Sequence, residues 1–122
     1  MKPFLCLLVA LLLNCKTQSA NNLGPERTEP AFIYANSLAT DGCEEFVRLD
    51  HGNPSADARY KPTANSLPIL QKAMASTPAG ASPYERSVTI RFAETGKQVP
   101  LQCGWGSRPE VGEIEIIAIR DR

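Results

Sequence analysis

The chain's only histidine, His51, lies in Asp50-His51-Gly52-Asn53, a composition that turns favour on backbone grounds alone. A turn residue is therefore the expected role, ahead of a general base or a metal ligand. Glu113 and Glu115 point the same way along a strand, about 7 Å apart, a separation that a two-carboxylate glycosidase could use. Adjacent exposed strand positions are usually acidic because water solvates them. A solvated face paired across strands with Arg86 or Arg91 is thus the favoured reading. No G-x-S-x-G and no H-E-x-x-H occurs, so neither nucleophile-elbow nor zinc-protease chemistry has a motif to stand on. The sequence assigns no catalytic residue, no cofactor and no metal ligand.

Trp105 sits between Gly104 and Gly106, directly after Cys103. Two readings stay open. In the first, which is the expectation, the indole caps the core against the neighbouring sulfur. In the second it stands out on a loop, and Trp105 with Arg108 and Tyr84 forms a binding patch, since aromatic and Arg side chains dominate interface energetics.

The elements that must position these residues are mostly strands. Ala31 to Ala35 reads as a first strand, closed off by Asp41-Gly42. Glu45, Val47 and Leu49 alternate with Phe46, Arg48 and Asp50, and Ala58 to Pro62 returns as a short strand, placed at an edge because Pro62 offers no donor. Ser66 as N-cap and Pro68 in the first turn start one short helix, with Leu67, Leu70, Ala73 and Met74 on one face. Ser76 to Pro83 reads as a surface loop. Val88, Ile90 and Phe92 then alternate with polar neighbours. Glu94-Thr95-Gly96-Lys97 reads as a hairpin turn, and Val99, Leu101 and Cys103 continue the apolar face on the return. In Val111 to Ile119 the apolar phase changes between Ile114/Ile116 and Ile117/Ile119, which predicts a bulge near Ile116 or a strand buried on both sides. The expected fold class is mainly β (α+β): a small OB-like or half-closed barrel of five to six short strands with one short helix.

The first residues read as an address. Lys2 gives a positive charge, Phe4 to Leu13 is an unbroken apolar run, and polar residues follow. Ten apolar residues reach about 15 Å as a helix, half a bilayer's hydrocarbon thickness, which fits a signal peptide and not a permanent span. The exit, Leu12-Leu13-Asn14-Cys15, resembles the lipobox of bacterial lipoproteins, with Asn14 in place of the usual small residue. That resemblance implies a signal peptide over 1–14, a lipid on Cys15 and anchoring to a membrane. Cleavage by the ordinary signal peptidase after Ser19 or Ala20 is the alternative. Residues 15–30, with Leu23 the one large apolar side chain after the lipidated cysteine, read as a flexible tether. The globular domain is then expected over 31–122.

On that reading Cys6 leaves with the leader and Cys15 is acylated, so Cys43 and Cys103 are the remaining thiols. In an oxidising compartment such a pair usually forms a disulfide, and closing a loop of about 60 residues contributes about 4 kcal/mol in the chain-entropy model. Two free buried thiols or a partial metal site are the alternatives; thiolate metal sites want four soft ligands.

Asp41-Gly42-Cys43, Tyr60-Lys61-Pro62, Leu67-Pro68, Cys103-Gly104-Trp105-Gly106 and Glu113 to Ile119 together resemble a group of small exported lipoproteins of the Bacteroidota type. The resemblance implies an envelope protein with one disulfide, on the outer membrane or periplasmic face, and transfers no catalytic residue. Charge argues in the same direction. The chain carries 13 basic and 13 acidic residues, with the arginines scattered among acids, which disfavours nucleic acid as a partner. The expected function is a non-catalytic binding or structural domain for an envelope protein, glycan or small ligand. A small envelope hydrolase, or an inhibitor of an envelope enzyme, is the alternative.

Overall fold

The computed structural model describes residues 22–122; the expected signal peptide and Cys15 lie outside the described residues. Five strands form one closed ring, ordered β1-β2-β3-β5-β4 and back to β1. They are β1 (Arg27–Tyr34), β2 (Phe46–Leu49), β3 (Arg59–Pro62), β4 (Glu85–Pro100) and β5 (Glu110–Asp121), and helix α1 (Leu67–Ser76) lies between β3 and β4 in the chain. Neighbours are antiparallel except β3 and β5, which run parallel. Alternation fills the interior: Ala31, Ile33, Val47, Val88, Ile90, Phe92 and Ile114 are all fully buried, and Leu70 of α1 joins them.

The first strand begins earlier than its apolar residues suggest. Arg27 to Pro30, expected in the tether, already pair with β4, starting at Arg27 opposite Phe92. The order here comes from ladder hydrogen bonds and ion pairs, since Arg27 holds Glu29 and Glu94 and Glu26 meets Arg91. β3 is likewise no edge strand: it lies between β2 and β5, and Pro62 is tolerated because it ends the strand.

The hairpin expected at Glu94 to Lys97 is absent. β4 is one strand that pairs with β5 on both sides of this stretch, Glu94 opposite Ile114 and Gln98 opposite Gly112, so the residues between are bulged out of the ladder. Gly96 takes the left-handed backbone that such a bulge needs (φ 83°). The six apparent strands are therefore five, and the true hairpin turns through residues 101–109. A second irregularity falls where the isoleucine phase changes. Phe92 pairs with Ile116 but Arg91 with Ala118, which leaves Ile117 as the extra residue. Ile114 and Ile116 stay inside, Ile119 returns to the core, and Ile117 is exposed.

Helix α1 has the expected start, with Pro68 in the first turn and Leu70 and Ala73 buried, but Ser66 does not cap it. Its hydroxyl is wholly buried and accepts the Ile116 N–H at 2.7 Å, beside the β5 bulge. Ser66 in turn donates to Thr63 Oγ1 (2.9 Å), and Thr63 donates to Glu115 (2.7 Å). The far end of α1 is held by Arg86, whose Nε donates to the carbonyls of Met74 (3.2 Å) and Thr77 (2.8 Å). A cation there also suits the helix dipole.

Because Ser66 satisfies a strand donor that has no water to turn to, Ser66→Ala should lower the unfolding free energy by about 1–3 kcal/mol. Urea denaturation measures this, and a loss well under that range would mean the Ile116 N–H finds another acceptor.

Candidate functional site

The loop between β1 and β2 (residues 35–45) and the loop between β4 and β5 (residues 101–109) are joined by the Cys43–Cys103 disulfide. The two cysteines face each other across an isolated antiparallel bridge. On one side the Glu44 N–H donates to the Gln102 carbonyl (2.9 Å), and on the other the Gly104 N–H donates to the Gly42 carbonyl (2.8 Å). Glu44 adds a third tie: one carboxylate oxygen takes the Gln102 N–H (2.7 Å) and the other meets Lys61 Nζ (2.8 Å). The glycines of the two cysteine motifs are required by contact. A Cβ on Gly104 would stand 2.7 Å from the backbone of Asp41, and one on Gly42 would stand 1.9 Å from Ser37 Oγ.

This clamp decides the place of Trp105, and it corrects the expectation that the indole packs inside. Trp105 is 92% exposed. The turn that carries it is closed by the Cys103 N–H donating to the Ser107 carbonyl (2.8 Å), and its backbone is left-handed (φ 60°, ψ 22°). A non-glycine residue held there costs about 1–2 kcal/mol. An exposed indole returns little of that through burial. Trp105 is thus presented by the fold, not recruited to stabilise it.

Arg108 follows on the same loop and lines a shallow cleft of about 160 Å³ with Glu44, Lys61, Pro100 and Gln102. A groove of about 450 Å³ runs over β3 and the start of β5, lined by Arg59, Pro109 and Glu110 among others. Tyr84 is half-exposed but does not join this group; it precedes β4, at the opposite end of that strand from the loop, where its carbonyl takes the Ala35 N–H (2.9 Å). Sequence reasoning missed Arg59, Lys61 and Glu44, whose roles depend on which loops and strands become neighbours.

The residues weighed for catalysis are separated into different pairings. Asp50 pairs with Arg122 (2.7 Å), whereas His51 Nε2 lies 2.8 Å from Glu29. Glu113 accepts from Thr95 and Glu115 from Thr63. Neither takes a partner from the expected arginines, since Arg91 meets Glu26 and Arg86 meets backbone carbonyls. His51 occupies a bend, as its sequence neighbours imply. Among the described residues no group of three or more His, Cys, Asp and Glu side chains is placed to hold a metal ion.

Two further polar clusters fix the ring around the site. Arg48 and Asp57 form a buried ion pair (2.9 Å); Asp57 also accepts the His51 N–H, and the Arg48 guanidinium lies over the Phe32 ring. At the mouth of the ring Arg27 lies over Phe92 and bonds Glu29, Glu94 and Tyr60. Burial works to raise the Glu29 carboxyl, but the bonds from His51 and Arg27 outweigh it and hold the group below its ordinary range.

No protein-family model, curated protein or solved structure matches the chain. The functional reading therefore rests on the geometry above.

Two outcomes follow from this geometry. Trp105→Asn, a residue that tolerates the left-handed backbone, should leave stability within about 1 kcal/mol of the wild type or raise it; thermal unfolding showing a larger loss would mean the indole packs on the loop. The depressed Glu29 carboxyl gives the acid limb its sign. With the folded value below the unfolded one, its stabilisation is complete above the ordinary carboxylate range and lost as pH falls through the depressed value. Glu29→Gln should thus flatten the decline in stability on acidification, and an unchanged acid limb would assign that decline to other groups.

Proposed function

We propose that the chain is a lipid-anchored envelope protein whose domain is an OB-like barrel serving as a non-catalytic binding module. The strand order, the parallel β3–β5 pair and a helix between β3 and β4 support the OB-like reading. In OB folds the strand 2–3 face and the loops 1–2 and 4–5 form the binding surface, and those are the two loops that the disulfide joins here. The observation that carries the proposal is Trp105, almost wholly exposed in a left-handed backbone at the tip of a cross-linked loop. A rigid aromatic held ready in this way loses little entropy on binding. The disulfide is consistent with an oxidising compartment, and the lipobox-like Leu12-Leu13-Asn14-Cys15 supplies the anchor.

Co-sedimentation of the non-acylated Cys15→Ser chain with envelope material from the producing cell tests the binding role apart from retention by the lipid. Trp105→Ala should weaken retention by about thirtyfold, a hot-spot loss of about 2 kcal/mol, with Arg108→Ala weakening it less and neither lowering the melting temperature. Retention equal to wild type in both variants overturns the reading. The intact mass of the membrane-extracted protein tests the address: it should correspond to a chain starting at Cys15 and carrying diacylglycerol and a fatty acyl group. A soluble product starting at Ala20 or Asn21 removes the anchor.

A further inference from the structure

We propose that the outer face of the ring where β1, β4 and β5 run side by side carries a binding site for a phosphate-type oxyanion, built from Arg91, Arg120, Thr28 and Thr89. The site is separate from the Trp105 loop and independent of the binding role proposed above, since the Thr89–Arg120 pair lies at the far end of the β4–β5 ribbon from residues 101–109.

Arginines that are scattered in the sequence are gathered here by alternation. Ile90 and Phe92 face the core, so Thr89 and Arg91 face out; Ile119 packs on the core opposite Ile90, so Ala118 and Arg120 face out with them. The register then sets two rows across the three strands. Thr28, Arg91 and Ala118 make the first, and Pro30, Thr89 and Arg120 the second. Adjacent strands lie about 4.8 Å apart and successive outward residues about 7 Å apart, so the two arginines occupy diagonal positions from which both long side chains reach one small ligand. The depression they share has a volume of about 290 Å³ and is lined by Thr28, Thr89, Arg91, Ala118 and Arg120. Short Ala118 keeps it open, and none of these residues is acidic.

Charge and donor geometry select the ligand class. Glu26 takes Nη2 of Arg91, and farther along the same face Arg122 gives its guanidinium to Asp50 and Ser87. Arg120, between these two, has no hydrogen bond or ion pair with any described residue, and the same holds for the hydroxyls of Thr28 and Thr89. Two guanidinium groups against the single Glu26 carboxylate leave an excess of one positive charge. Arg91 Nη1 and Nε, the whole Arg120 fork and two hydroxyls are thus donors that converge on one depression from three strands. A carboxylate offers two oxygens in a plane, which one guanidinium fork already satisfies. A phosphate group presents oxygens in tetrahedral directions and takes donors from several sides at once.

The test follows the backbone amides by NMR while the full purified chain is titrated with sodium phosphate at fixed pH and ionic strength, with sodium acetate as the planar comparison. Phosphate should shift the amides of Thr28, Thr89, Arg91 and Arg120 with half-saturation below about 10 mM, and acetate should not. Arg120→Gln should weaken binding about tenfold and Thr89→Val about threefold, with the rest of each spectrum as in the wild type. Glu26→Gln should strengthen it about threefold, because it releases Arg91 to the ligand. Lys97→Gln removes one positive charge at the β4 bulge and should change binding less than about twofold. Absence of phosphate-dependent shifts, equal shifts with acetate, or a loss in Lys97→Gln as large as in Arg120→Gln overturns the site. Vesicles of phosphatidylcholine with and without phosphatidic acid, offered to the non-acylated Cys15→Ser chain, distinguish the sources of the group. Retention that requires phosphatidic acid and is lost in Arg120→Gln makes it a lipid headgroup; phosphate binding in solution without such retention makes it a soluble phosphate.

Discussion

Two loops leave the ring on the same side, and the bond between Cys43 and Cys103 prevents them from moving apart. Its chain-entropy effect on the unfolded state is large for a domain of this size. Its local effect matters more for the site. The cross-link lies between two backbone hydrogen bonds and beside the Glu44 ties to Gln102 and Lys61. Covalent, backbone and ionic contacts thus act on one short stretch; Gly104 lets its loop lie against the backbone of Asp41, and Gly42 lets its own loop fold tightly against Ser37. The loop carrying Trp105 and Arg108 is consequently positioned by the ring as a whole.

The ring is closed by two long strands that are both irregular. β4 and β5 must follow a tight curve while pairing along most of their length, and each register shift relieves the mismatch at one place. Irregularity leaves polar groups without ladder partners, and side chains supply the missing bonds. Ser66 accepts the Ile116 N–H, and at the shift between Glu94 and Gln98 Thr95 Oγ1 accepts the Lys97 N–H. No buried side-chain nitrogen or oxygen among the described residues is left unbonded, so no side chain that turns inward at these irregularities is a local weakness.

Much of this frame is legible in the residues, and the parts that are not share a cause. Alternation marks the interiors of β2 and β4, proline and serine mark the start of α1, and the isoleucine phase change marks the β5 bulge, because each is a local pattern with one structural meaning. Glu94-Thr95-Gly96-Lys97 has two meanings: a glycine in left-handed backbone serves a hairpin turn and a wide bulge equally well, and only the β5 pairing on both sides selects the bulge. The polar start of β1 is ordered by partners dozens of residues away. Arg86 reads as a cross-strand partner for Glu113 and Glu115 yet holds a helix end, and Arg48, on the alternating strand, is buried against Asp57. Non-local partners decide all of these positions, including Arg59 in the groove.

Trp105 shows what the clamp accomplishes energetically. Left-handed backbone at a bulky residue is unfavourable, and exposing an indole leaves its apolar surface in water. A free loop would relax both by turning the ring inward against the disulfide, the arrangement that sequence alone favours. Here the Cys103–Ser107 turn closes the loop and Gly104 lies against Asp41, and the indole stays outside. The cost of a strained, exposed aromatic is therefore set against a cross-link worth about 4 kcal/mol in the chain-entropy model. A domain that maximised stability would not keep such a residue, because strain that survives in a well-determined structure tends to mark a functional position. That imbalance gives Trp105 more weight as a contact residue than its exposure alone would.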